Sequence, residues 1–146
     1  MRLNTKMRYG TRAMLELALH HQDGPLSMSE IASRQGLSEK YLESLLGQLR
    51  TAGLIRAVRG SRGGYLLARS PEEITLRDIF DVLEGPEAFV PCTDRHESCD
   101  RSSSCLTRDV WAQMYEAAMS VLESHTLSRL VSRHQSPADS APIYEI

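Results

Sequence analysis

Residues 27–67 read SMSEIASRQGLSEKYLESLLGQLRTAGLIRAVRGSRGGYLL, and the capping and glycine positions in this stretch set the architecture. Ser27-Met28-Ser29-Glu30 has the spacing of a capping box, in which a Ser hydroxyl and a Glu three residues on satisfy each other's exposed amides. The helix it starts is short, about 29–35, and Gly36 stops it. Ser38 can cap a further helix running to about Ala52, with Leu42, Leu45, Leu46 and Leu49 on its buried stripe and Gly53 just past its end. Two short helices joined by a Gly-containing turn make a helix-turn-helix. Two extended runs follow, 54–58 and 65–68, and the Gly-rich stretch Gly60-Ser61-Arg62-Gly63-Gly64 between them reads as a hairpin loop. A helix-turn-helix followed by such a hairpin is a winged helix, so the expected class is mainly α with a small β-hairpin wing.

Upstream, roughly Thr5–His21 is amphipathic, with Tyr9, Ala13, Leu17 and Ala18 on one face, and Asp23-Gly24-Pro25 ends it. Downstream, Ser70-Pro71 is a break. Leu76, Ile79, Phe80 and Leu83 then define a short helix capped by Thr75 and closed by Gly85-Pro86. Residues 86–106 lack periodicity and are rich in Asp, Ser and Cys, which reads as a loop. From Thr107, Val110, Trp111, Met114, Ala117, Ala118, Val121 and Leu122 recur at helical spacing, with Leu130 and Val131 continuing the pattern after a break near His125-Thr126. The organisation expected is therefore a winged-helix domain over 1–85, a cysteine-containing loop over 86–106, a long C-terminal dimerisation helix over 107–134 and a frayed tail over 135–146.

The chain has 146 residues, 41% hydrophobic and 25% charged, an ordinary globular balance with room for one compact domain and an appendage. Its net charge of −2 hides an asymmetry. Residues 1–70 hold 11 Lys and Arg against 5 Asp and Glu, a surplus of six positive charges, whereas residues 71–146 hold 6 against 14. A basic half of this kind suits a polyanion. No run of about 18 apolar residues offers a membrane span, and no apolar stretch follows the basic start as a secretion signal would require, so a cytoplasmic setting is expected.

A winged helix reads DNA by placing the second helix of its helix-turn-helix in the major groove, N-terminal residues first. Those residues are Ser38, Glu39, Lys40, Tyr41 and Glu43. Lys40 and Tyr41 can reach phosphate or base edges, and a Glu can accept from a cytosine amino group. Arg50, Arg56, Arg59, Arg62 and Arg69 add charge on and after that helix, and Arg59 and Arg62 flank the hairpin tip, where an arginine can enter a minor groove. The competing reading is a solvated charged face; charge, helix-turn-helix and wing together favour duplex DNA. The glycine loop has neither dinucleotide-binding nor Walker A spacing and no helix after it.

Three cysteines, Cys92, Cys99 and Cys105, fall within 14 residues, with His96 and acidic residues between them. Thiolates bind soft or borderline metals. The close cysteine pair usual at zinc sites is missing, and the wider spacing suits an iron–sulfur cluster, with a bare redox thiol or zinc as the alternatives. The apolar stripe from Val110 to Val121 is wider than one small domain needs, which points to a homodimer. Histidines 20, 21, 96, 125 and 134 are dispersed and no hydrolase or zinc-peptidase motif occurs, so catalysis is not expected.

Met1-Arg2-Leu3, Arg8-Tyr9, Leu42-Glu43-Ser44-Leu45-Leu46, the wing from Val58 to Leu67 and the three-cysteine loop together resemble the Rrf family of bacterial transcription regulators, its iron–sulfur regulators above all, over about residues 1–131. The resemblance implies a winged-helix homodimer with a long crossing helix and a redox-labile cluster, [2Fe–2S] or [4Fe–4S], that tunes affinity for a DNA operator. It carries DNA contacts onto Ser38, Lys40, Tyr41, Glu43 and Arg59, and cluster ligation onto Cys92, Cys99 and Cys105. Two positions depart from the pattern. Arg108 stands where the iron–sulfur regulators have a ligating histidine after the third cysteine, and Arg8 stands where nitric-oxide-sensing relatives have an acidic ligand. The first cysteine spacing is also one residue longer. His96, Asp94, Asp100, Asp109, a residue of the other subunit or an external thiol are the candidates for a fourth ligand. A metal-binding interaction module without DNA binding is the rival of another class, disfavoured by the basic amino-terminal half.

Overall fold

The computed structural model describes residues 3–85 and 99–136. Helix α1 spans Thr5–Leu19, α2 Met28–Gln35 and α3 Glu39–Thr51. Strands β1, Ile55–Val58, and β2, Gly64–Leu67, follow as an antiparallel hairpin, then helix α4, Leu76–Leu83. Helix α5, Arg108–Glu123, and helix α6, Leu127–Gln135, complete the described chain.

Local chemistry explains the boundaries. The Ser27 hydroxyl accepts from the Glu30 amide while the Glu30 carboxylate accepts from the Ser27 amide, a reciprocal capping box. Gly36 ends α2 in the left-handed region at φ 63°, which a side chain would disfavour. Ser38 caps α3 by accepting from Tyr41 N–H, and Thr75 with Asp78 repeats the capping box at α4.

The hairpin is pinned to the rest of the domain by Leu26, which exchanges two backbone hydrogen bonds with Tyr65, at 3.1 and 2.8 Å. Gly64 makes this approach possible, because a Cβ there would run into the Leu26 carbonyl. One core holds the domain together. Met14 of α1, Ile31 of α2, Leu42, Leu45, Leu46 and Leu49 of α3, Ile55 of β1 and Ile79 of α4 are all buried in it.

The carboxy-terminal segment differs from a single long helix. The pattern breaks at 124–126, and the chain turns back so that α6 packs on α1. Leu76 N–H donates to the His125 carbonyl and Leu127 N–H to the Ile74 carbonyl, both at 2.9 Å, so the break is fastened to the start of α4. Thr126 caps α6 by accepting from Arg129 N–H. The physical reason is Leu127, which gains more by burial in the winged-helix core than it would on an extended solvent-facing helix.

Candidate nucleic-acid interface and cysteine segment

Ser38, Lys40 and Glu43 are exposed, as is Arg50 at the far end of α3. Tyr41 is half-buried, its ring edge-on to Tyr9 of α1, with centroids 6.1 Å apart and planes at 87°. Arg56, Arg59 and Arg62 project from the hairpin and its turn and are exposed, with no ion pair among the described residues. Arg69, by contrast, is within 3.7 Å of Asp78, which takes up part of its charge.

A cationic cluster on α1 escapes the sequence reading. The Arg8 and Arg12 guanidinium groups lie 5.9 and 5.3 Å from the centre of the Tyr9 ring. Arg12 also donates to the Gln35 side chain at 2.6 Å and to the Gln35 carbonyl at 3.2 Å, in the turn of the helix-turn-helix. Tyr9 reads as one member of a buried stripe, which hides its second role; the i, i+4 spacing of Arg8 and Arg12 is the only signal the sequence offers.

Of the cysteine segment, Cys92, His96 and Asp94 lie outside the described residues. Cys99 is exposed and opens a run of turns. Cys105 is half-exposed just before α5. The Thr107 hydroxyl, 3.4 Å from its Sγ, and the backbone amides of Thr107 and Arg108 favour the thiolate and hold the thiol below its ordinary range. Asp100 and Asp109 are exposed nearby in sequence, and Arg108 and its neighbours add no imidazole. Among the described residues no three His, Cys, Asp or Glu side chains converge as metal ligands. An accessible thiol that favours its thiolate is the donor chemistry a sulfur-ligated metal group requires, and Cys105 fits such a group on that ground.

Helix α5 has two apolar faces. Met119 is buried, with Tyr115, Ala118 and Leu122 packed against the same core. On the other face Val110, Trp111, Met114 and Val121 are 49%, 38%, 44% and 59% exposed. Among the described residues no helix is long and apolar enough to cross a membrane.

A helix-turn-helix with an arginine-tipped hairpin defines a winged-helix transcription regulator. Comparison with known proteins then identifies the family: residues 3–133 match the Rrf2 family, described as iron-dependent transcriptional regulators, and the chain belongs to it. It is 43% identical over 131 residues to Protein rrf2 of Nitratidesulfovibrio vulgaris, across 90% of this chain and 87% of that one. The solved structure of CymR, the global cysteine regulator of Bacillus subtilis, is similar with a TM-score of 0.75 at 42% identity, over 90% of this chain and 97% of that one. IscR of T. potens gives a TM-score of 0.77 at 38% identity, over all of this chain and 94% of that one. Among the curated relatives, CymR of Bacillus subtilis and IscR of Pectobacterium atrosepticum are both named HTH-type transcriptional regulators.

Proposed function

We propose that this Rrf2-family regulator is a cytoplasmic homodimer that binds a duplex DNA operator, and that an iron–sulfur cluster held by Cys92, Cys99 and Cys105 modulates its affinity. The observation that carries the DNA reading is the exposure of Lys40 on the first turn of α3 together with Arg59 and Arg62 on the hairpin turn, none of them in an ion pair among the described residues. Ser38, Tyr41 and Glu43 position and read alongside them, and Arg50 adds a phosphate contact. Lysines and arginines fix register on the phosphate backbone, while base edges are read in the groove. The exposed face of α5 supports the dimer, which sets two recognition helices at half-site spacing.

When bound, the cluster supplies a redox-labile centre whose presence depends on iron and oxidants. The chain's own residues connect that centre to the reading head. Cys105 is bonded through its carbonyl to Arg108 N–H at the first turn of α5, α5 packs on α4, and α4 packs on α3. Two DNA-binding states that differ in cluster affinity are sufficient for control.

A second reading has its own support. The thiolate-favouring setting of Cys105, and Arg108 in the place of a ligating histidine, equally suit a bare redox thiol, and a zinc site is the third reading. One experiment separates them. The protein is purified without oxygen, its visible spectrum and iron, sulfide and zinc contents are measured, and its binding to duplexes selected from a random library is compared with and without the metal group. Iron and sulfide with a visible band, lost in each of Cys92→Ala, Cys99→Ala and Cys105→Ala, supports the cluster; a band that changes in His96→Ala supports His96 as the fourth ligand, and an unchanged one points to an acidic or external ligand. One equivalent of zinc, or reactive thiols with no metal, replaces it.

A further inference from the structure

We infer that Arg12 on α1 is a phosphate contact, gripping the DNA strand that borders the groove entered by α3. The inference rests on the DNA reading above and adds to it a residue outside the helix-turn-helix and the wing.

Three observations converge on Arg12. Its Nε and Nη2 are tied to the side chain and carbonyl of Gln35, the last residue of α2, so the guanidinium is held in the turn that leads directly to Ser38 and α3. Gln35 is itself fixed by donating to Glu16 at 2.6 Å, so the anchor is steady. The guanidinium plane rests near the Tyr9 ring, and Tyr9 abuts Tyr41 on the first turn of α3. The cation is therefore placed beside the entry end of the recognition helix.

Its charge is also unspent. Among the described residues neither Arg8 nor Arg12 makes an ion pair, whereas Arg34, on the neighbouring helix, is 3.5 Å from Glu16. Arg12 is exposed, and only two of its donors are engaged by Gln35. A guanidinium presents five N–H donors, so three remain to meet a phosphate oxygen. Such a contact carries no sequence information and sets the approach of α3 to the groove.

The test compares Arg12→Gln and Arg12→Lys with the parent by fluorescence anisotropy, on a library-selected duplex and on a duplex of shuffled sequence, over a range of KCl. The expected result is that Arg12→Gln weakens both duplexes by the same factor and lowers the slope of log affinity against log salt by about 1 per bound protomer, while Arg12→Lys keeps the slope. An unchanged slope overturns the inference. A loss confined to the selected duplex, with the slope intact, also overturns it, because that pattern means Arg12 only fastens α2 and orients α3. Failure of the parent itself to bind any duplex with salt dependence overturns the DNA reading and this inference with it, and is told apart by the parent's own titration.

Discussion

The backbone N–H of Leu127 donates to the carbonyl of Ile74 at 2.9 Å, and both side chains are fully excluded from solvent. This pair makes α6 part of the winged-helix core and leaves α5 braced between that core and solvent. Leu127→Ala should cost about 2–5 kcal/mol of stability, the range for deleting a buried leucine side chain. Thermal and denaturant unfolding check it; a loss below about 1 kcal/mol would mean that α6 contributes little to the core.

Arg59 on the hairpin turn makes no ion pair with the described residues, so replacing it removes charge without orphaning a buried partner. Arg59→Ala should weaken operator binding by about 1–3 kcal/mol if it reads a base edge, and relax preference at that base. Binding to a panel of single-base variants of a selected duplex distinguishes this from a phosphate contact, which would weaken every duplex alike.

The exposed α5 face is the surface proposed above to carry a homodimer. Met114→Glu combined with Val121→Glu should place unpaired charge in a dimer interface and shift the protein to monomer, with little change in monomer fold because both residues are exposed. Sedimentation at micromolar concentration reads the mass directly. A parent that is already monomeric there rules the homodimer out.

Cys105 should react at lower pH than an ordinary thiol. Its ionisation is favoured first by the Thr107 hydroxyl and then by backbone amides, so the thiolate persists as pH falls. In metal-free Cys92→Ala/Cys99→Ala protein, the pH profile of iodoacetamide alkylation should rise early, and Thr107→Val should move it to higher pH. A profile that Thr107→Val leaves in place assigns the effect to something other than that hydroxyl.

Much of the reading head was legible from the chain alone because its determinants are local. Ser27, Glu30, Gly36 and Ser38 terminate and start helices through contacts three or four residues away, and Gly60 and Gly63 suit the tight turn between the two strands. The α5 stripe was legible as apolar but not as inward or outward. Val121 and Leu122 belong to the same stripe, yet Val121 is 59% exposed while Leu122 packs against the core, and Met119, the most buried residue of the helix, is not in that stripe. Helical spacing reports an apolar face and cannot report which body covers it.

The sequence by itself determined the order of helices and hairpin, the basic character of the amino-terminal half and the cysteine cluster, all of which follow from neighbour interactions and composition. Tertiary structure alone decided that Leu26 would pair with Tyr65, that α6 would fold back to bury Leu127 against Ile74, and that Arg12 would be held in the turn before α3. Each of those contacts joins residues more than 20 positions apart, where the deciding quantity is the shape of the assembled core and not the preference of any local segment.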